Sequence, residues 1–282
     1  MANTTVTTAA AFIPEIWETE VSYALRASLE FRALAKIVTS TKGKGDKVHM
    51  GRIGFGTARD KAAGVAITFD ATTDEDITIT LNKYKYKAVL VEDIAEIQAE
   101  INLLQAKALE VSYPVAKAMD LDIVGLYASI TEEVDAGAMT ASTAMASLLS
   151  LKKTLDSNNA PREGRVLVIE PYTESILLAT DKLTSRDYIT GAAAPLVDGA
   201  IGRMLGFDVV PSNNIQTSGG KYVNMAFVRD RSLGLALSAD IGMEAWRENK
   251  ELSDAIIAHT IYGVGVLEDN SCAKFLVTVP AE

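Results

Sequence analysis

The chain has 282 residues, of which 48% are hydrophobic, and its formal net charge is −10. This length is enough for one large domain or two moderate ones with a substantial core. No apolar run is long enough for a predicted membrane-spanning helix, and the acidity without a Lys/Arg cluster argues against a protein that wraps nucleic acid.

The N-terminal residues predict an extended arm. Residues 1–16 are rich in Thr and Ala and show neither a helical nor a strand period, and a helical pattern begins at Trp17. They also lack the basic and apolar regions of a secretory signal. Because such an arm has few partners within its own chain, we expect it to dock onto another molecule.

Residues 41–91 predict a long β-hairpin. The alternation from Ile77 to Leu81 continues one step out of phase from Tyr84 to Leu90, which indicates a bulge near Asn82. The polar stretch from Gly56 to Asp76 would form the tip. Because an isolated two-stranded hairpin is marginally stable in water, we expect this hairpin to lean on a neighbour.

A long helix is predicted from Asp93 to about Ala128. Asp93 and Glu96 resemble a capping box, and apolar or small residues then recur at steps of three and four. Such a helix is about 54 Å long. Pro114 should kink or split it. We interpret the apolar stripe as a face packed against a sheet rather than as a coiled-coil seam.

The remaining chain predicts a mixed α+β arrangement. A helix with a Ser/Thr-rich start and an Asn-rich stop lies within residues 141–161, a short buried strand follows at 165–171, and a second helix follows at 172–180. Later segments favour strands, which recur at regular spacing within 233–269, and a last one begins at Ala273. The pattern therefore places an α/β-like region between strand-rich parts.

No group of residues predicts catalysis or metal binding. The only histidines, His49 and His259, lie in separate predicted strands, and with the single cysteine, Cys272, they cannot form a zinc site of the Cys/His type. One cysteine also excludes an intrachain disulfide framework and fits a reducing cytoplasm. We therefore expect no cofactor, no metal and no enzyme activity.

The segment "IGRMLGFDVVPSNNI" is the one that most resembles a phosphate-binding site. The glycines Gly199, Gly202 and Gly206 precede the predicted strand Phe207–Val210. A dinucleotide site needs the opposite order, in which a strand leads through the glycine turn to a helix N-terminus. We therefore interpret these glycines as a turn into a core strand, which the polar residues 211–214 end.

Two stretches carry a resemblance to a known family. They are "LKKTLDSNNAPREGRVLVIEP" and "GRMLGFDVVPSNNI", and together with the arm, the hairpin and the long helix they resemble a tailed-phage major capsid protein of the Hong Kong 97 type. The matching positions are Leu155–Asp156, Asn159, Pro161, Arg165, Val166–Ile169, Pro171, Gly206–Phe207 and Ser212–Asn213.

The resemblance implies an α+β capsid fold with four parts. These are an N-terminal arm (1–36), an E-loop hairpin (43–90), a P domain with a long spine helix (37–42, 91–129 and 229–270) and an A domain (130–228 and 271–282). Some relatives carry an N-terminal scaffolding segment, whereas this chain begins almost at the arm. We therefore expect a separate scaffolding protein.

The function that the resemblance implies is that of a coat protein. Copies would assemble as pentamers and hexamers into an icosahedral shell that encloses double-stranded DNA without sequence-specific binding. The expected location is the virion capsid, assembled in the cytoplasm of a bacterial host. A portal protein is an expected partner, a cement protein is left open, and no membrane is involved.

The expected contacts between subunits come from the arm and the hairpin. Phe12, Ile13 and Trp17 would latch the arm onto a neighbour. The charged hairpin residues would pair with carboxylates of a neighbour's helix, and single exposed ion pairs of this kind contribute about 0–1 kcal/mol each. The hairpin residues are Arg52, Arg59, Asp60 and Lys61, and their candidate partners are Glu96 and Glu100.

Two alternatives remain open at this point. An encapsulin-type shell would share the fold and load enzyme cargo instead of DNA. An α/β enzyme would use a site near Ser212 to Asn214.

Overall fold

The computed structural model describes residues 26–39, 45–54, 56–64, 66–67, 69, 74–94, 103–180 and 202–280. The described α-helices are Phe31–Leu34 (α1), Leu103–Val124 (α2), Ala141–Ser157 (α3) and Pro171–Leu178 (α4). The strands are Lys36–Thr39 (β1), Lys47–Ile53 (β2), Asp74–Thr80 (β3), Lys83–Glu92 (β4), Glu133–Asp135 (β5), Arg165–Ile169 (β6), Arg203–Met204 (β7), Phe207–Pro211 (β8), Thr217–Ser218 (β9), Lys221–Val228 (β10), Leu233–Glu248 (β11), Ser253–Val266 (β12) and Cys272–Thr278 (β13).

The first sheet has four strands in the order β1-β11-β12-β4. Helix α2 lies across one face, where Val111 and Val115 pack against Val89 and Ala258. Two polar contacts reinforce this packing. Asp122 of α2 accepts a hydrogen bond from the Tyr262 hydroxyl at 2.6 Å and forms an ion pair with Lys83. On the opposite face, Ile79 of β3 lies against Gly263 and Gly265 of β12.

The second sheet contains seven strands, and its main path runs β5-β13-β10-β6-β8-β7. Its central strand β6 is buried along its whole length, which explains why residues 166–169 are all apolar rather than alternating with polar ones. Helix α3 covers one side with Leu148, Leu151 and Leu155, which recur at helical spacing. The two predicted helices and the strand between them are confirmed.

The hairpin consists of β2 and β3 only, with Lys47 opposite Thr80 at its base. The interpretation of one bulged strand through residue 90 is wrong. The chain instead crosses at Leu81 and Asn82 into β4, which pairs with β12 in the four-stranded sheet. Periodicity registers the change of phase, but it carries no information about which strand is the partner.

Helix α2 continues through Pro114 without a break, so the proline does not split it. Pro114 lies on an exposed position. The carbonyl of Glu110, which loses its helical N–H partner there, is therefore close to solvent, and this lowers the cost of a proline inside a helix.

Candidate assembly surface

The base of the hairpin is seated on a platform of three glycines in the four-stranded sheet. Ile79 of β3 is only 2% exposed and packs over Gly234, Gly263 and Gly265. A methyl group built on Gly263 would lie 2.1 Å from the Thr80 carbonyl oxygen. Only glycine permits this close approach of two backbones, so the platform determines where the hairpin leaves the sheet.

Next to this platform the sheet carries a row of exposed apolar side chains, which we call the aromatic face. Its members lie on the side opposite α2, because cross-strand partners share a face: Tyr84 pairs with Ile261, and both Leu90 and Trp246 pair with Ala255. They are 37–66% exposed, a contiguous surface of the kind that marks a contact site. The members are Tyr84, Tyr86, Leu90, Trp246 and Ile261.

Beyond its base, the hairpin carries exposed apolar side chains in the part of the chain that the structure describes. Phe69 near the tip is 89% exposed, Ile67 is 59% exposed and Ile53 is 77% exposed. The predicted contact residues Arg59, Asp60 and Lys61 are also exposed and lie in this irregular tip. A projecting element with bare apolar groups is typical of a segment that becomes buried by another molecule.

Arg52 has partners within its own chain. Its guanidinium lies 3.8 Å from Glu75 on the facing strand and 3.4 Å from Glu268, which also pairs with Arg231. This residue therefore links the hairpin to the body of the subunit. The other predicted contact residues, Phe12, Ile13, Trp17, Glu96 and Glu100, lie outside the described residues.

A buried carboxylate joins helix α2, the segment after β8 and residues 28–32, which we call the arm root. Asp120 of α2 is fully buried and accepts hydrogen bonds from the backbone N–H groups of Phe31 and Arg32 at 2.9 and 3.2 Å. It also accepts one from the Asn214 side chain at 2.8 Å. Burial raises the pKa of Asp120 above its ordinary value, although these hydrogen bonds oppose the shift. No sequence signal pointed to this residue.

The same contacts argue against the alternative of an enzyme site near Ser212 to Asn214. Ser212 and Asn214 are each 3% exposed, and Asn214 also donates to the Ser28 carbonyl at 3.2 Å. The Asn214 side chain holds the segment after β8 against the arm root and α2, and the Ser212 hydroxyl accepts a hydrogen bond from the Asn214 backbone N–H at 3.3 Å. The turn prediction is confirmed at Gly202 and Gly206, which have φ values of 65° and 91°, while Gly199 lies outside the described residues.

The motif that carries the resemblance forms a connection between helix α3 and strand β6. Asn159 ends the α3 region in the left-handed conformation with φ 56°. Arg165 is 2% exposed, donates to the carbonyls of Ala160 and Pro161 at 2.8 and 2.7 Å, and pairs with Asp156 at 2.8 Å. The spacing of Asp, Asn, Pro and Arg therefore reflects one compact helix-to-strand connection, held mainly by the buried guanidinium of Arg165.

The remaining titratable candidates have structural surroundings. His49 lies 2.6 Å from Asp76 on the exposed hairpin, and His259 contacts the ring of Tyr84 edge-on. Cys272 is buried, and burial raises the pKa of its thiol to about 12. Among the described residues no cluster of His, Cys, Asp or Glu could hold a metal ion, and no helix there could span a membrane.

A sheet backed by a long helix, a projecting hairpin and a second sheet with flanking helices together define a shell protein of the Hong Kong 97 type. The profile of the family described as "Phage capsid protein" matches residues 29–279, and the chain belongs to this family. It is a tailed-phage major capsid protein, a structural subunit that assembles into the icosahedral shell of the virion.

Solved structures agree with this assignment. One from Mycobacterium phage Che8 is 28% identical, covers 94% of this chain and 97% of that chain, and has a TM-score of 0.80. The capsid of the cyanophage P-SCSP1u is 16% identical, covers 99% and 97%, and has a TM-score of 0.83. A native GTA particle capsid, at 11% identity and TM-score 0.75, covers 99% and 100% and shows the fold alone. The comparison with curated proteins finds no match.

Proposed function

We propose that this subunit forms the pentamers and hexamers of a shell that encloses double-stranded DNA. The net charge of −10 favours a container over a wrapping protein, because wrapping requires basic groups that neutralise phosphates. Assembly takes place in the cytoplasm of the bacterial host. A separate scaffolding protein and a portal protein act as partners, and a cement protein would be an additional one.

The observation that carries the proposal is the uncovered hairpin. Phe69 is 89% exposed and Ile67 is 59% exposed, on an element held at a defined position by the glycine platform. A free monomer would leave this apolar surface in water. Contact with a neighbouring copy removes the surface from water and uses the hairpin as a rigid arm.

The charged residues of the tip give that contact its register. Arg59, Asp60 and Lys61 present both signs of charge within three consecutive positions. We place Glu96 and Glu100 of a neighbour opposite them. The arm residues Phe12, Ile13 and Trp17 latch a neighbour in the same scheme. Since each exposed pair contributes only about 0–1 kcal/mol, repetition over the shell supplies the effect.

Shortening the tip tests this scheme. We expect that replacing residues 57–71 by a short Gly/Ser linker leaves a folded subunit but abolishes closed shells, because the apolar tip is lost. Negative-stain microscopy and size-exclusion chromatography of the expressed protein measure the outcome.

A matched control keeps the hairpin intact. Gly51→Ala lies in β2, where an added methyl group meets nothing within 4 Å, and it should assemble normally. Shells of ordinary yield from the shortened chain would show that the tip has no part in assembly.

A further inference from the structure

The turn between β11 and β12 holds an exposed leucine in an unfavourable conformation. Leu252 has a φ of 46° and is 66% exposed. Residues other than Gly, Asn and Asp are disfavoured in the left-handed region, and an exposed leucine side chain makes no favourable contact that offsets this cost. Strain of this kind persists where the side chain serves a purpose, and among the described residues Leu252 belongs to no core cluster.

The turn is clamped from below. The Arg247 guanidinium bonds both carboxylate oxygens of Asp93 and reaches Asp254 at 3.2 Å. The backbone N–H of Asp93 donates to the Leu252 carbonyl at 3.2 Å. These contacts tie the turn to the end of β4, so Leu252 is presented on a fixed support and not on a loose loop.

Beside the turn lies a depression that a leucine would suit. Its volume is about 510 Å³, and both apolar and charged residues line it: Ala88, Val89, Leu90, Trp246, Ala255, Glu248, Lys250 and Glu251. Leu90 and Trp246 are 51% and 45% exposed. Leu252 of the same chain does not line this depression. The Leu252 side chain, which we call the knob, and the depression, which we call the socket, are therefore separate features beside the turn between β11 and β12.

We propose that Leu252 of one copy occupies the depression lined by Leu90 and Trp246 of the next copy around a local symmetry axis of the shell. Each copy both gives a knob and receives one, which is a heterologous contact that closes into a ring. The lining residues Glu248, Lys250 and Glu251 carry charges of both signs and can pair across the contact. This inference rests on the assembly of copies into a shell.

The substitution Leu252→Asn separates the two roles of this residue. Asparagine tolerates the left-handed conformation, so the unassembled full-length subunit should unfold at the same urea concentration as wild type or a higher one. Shells should dissociate at a lower urea concentration, because the knob is gone. Leu149→Asn is the matched control, since Leu149 is 48% exposed on α3 and should leave shells unchanged.

Disulfide cross-linking tests the contact directly. Cys272 is buried, so introduced cysteines react alone. Oxidised shells of the Leu252→Cys/Ala88→Cys chain should give a covalent ladder that ends at the number of copies around the axis, whereas Leu252→Cys alone can give dimers at most. Shells of Leu252→Asn as resistant as wild type, or the absence of oligomers beyond dimers after oxidation, would overturn the proposal. Failure of wild type to form shells would instead refute the proposed function.

Discussion

The seating of the hairpin on the glycine platform makes Gly263→Ala a sharp test of the fold. The added methyl group would lie 2.1 Å from the carbonyl oxygen of Thr80, 2.8 Å from its carbonyl carbon and 3.2 Å from Ile79 Cγ2. Two of these three atoms belong to the backbone, so no side-chain rotation relieves the contact. The base of β3 must therefore retreat from the sheet by about 1 Å.

The expected loss is large for one methyl group. Overpacking of a filled site commonly destabilises by about 1–3 kcal/mol. Displacing Ile79 returns part of a buried apolar side chain to water, and the full burial of such a side chain contributes about 1.5–3 kcal/mol. Because these two effects are alternative ways of relieving one clash, we expect a net loss of about 2 kcal/mol.

Urea unfolding of the unassembled subunit measures this loss, and electron microscopy reports whether the displaced hairpin still builds shells. Gly242→Ala in the neighbouring strand β11 is the control. Its added methyl group would lie 3.7 Å from the His259 ring, which is an ordinary van der Waals contact. Equal unfolding midpoints for the two variants would show that the hairpin does not depend on the platform.

Two further substitutions test the buried polar contacts. Arg165→Met should lower the unfolding free energy by about 3 kcal/mol, because it leaves Asp156 without its closest partner. The control Arg162→Met lies at an 81% exposed position and should change the unfolding free energy by less than about 0.5 kcal/mol. Urea denaturation of both variants measures the difference. Burial raises the pKa of Asp120, so the stability present while this acid is protonated is lost as the pH rises through the raised pKa. Wild type should therefore lose unfolding free energy relative to Asp120→Asn on going from about pH 4 to neutral, and parallel pH profiles would contradict the role of desolvation.

Local patterns predicted the elements that depend on local physics. Helices α3 and α4 and strand β6 follow from apolar spacing and from the residues that end them. The glycine turn before β8 follows from the order of glycines and strand, because a helix N-terminus after the glycines would have been needed to bind phosphate. The capsid resemblance was carried by residues such as Arg165, whose spacing from Asp156 reflects one compact connection.

Other features depend on residues that are distant in sequence. The change of phase in the apolar alternation near Asn82 was visible in the sequence. That it marks a passage of the chain from one sheet to another became clear only from the pairing of β4 with β12. Arg52 looked like a contact between subunits, yet Glu268, 216 positions away, lies within reach of it. Asp120 gave no signal at all, because a single Asp in a helix looks the same whether it faces water or three buried donors.

By itself, then, the sequence determined the acidic character of the chain and the order α3, β6, α4, since these depend on composition and on neighbouring residues. Only the tertiary structure decided how β4 pairs, why Gly263 has to be glycine and which apolar side chains are left uncovered. Those properties arise where segments that are distant in sequence pack together, and periodicity along one segment carries no information about the other. For a shell subunit that limit matters most, because its function lies in the surfaces that its own chain leaves exposed.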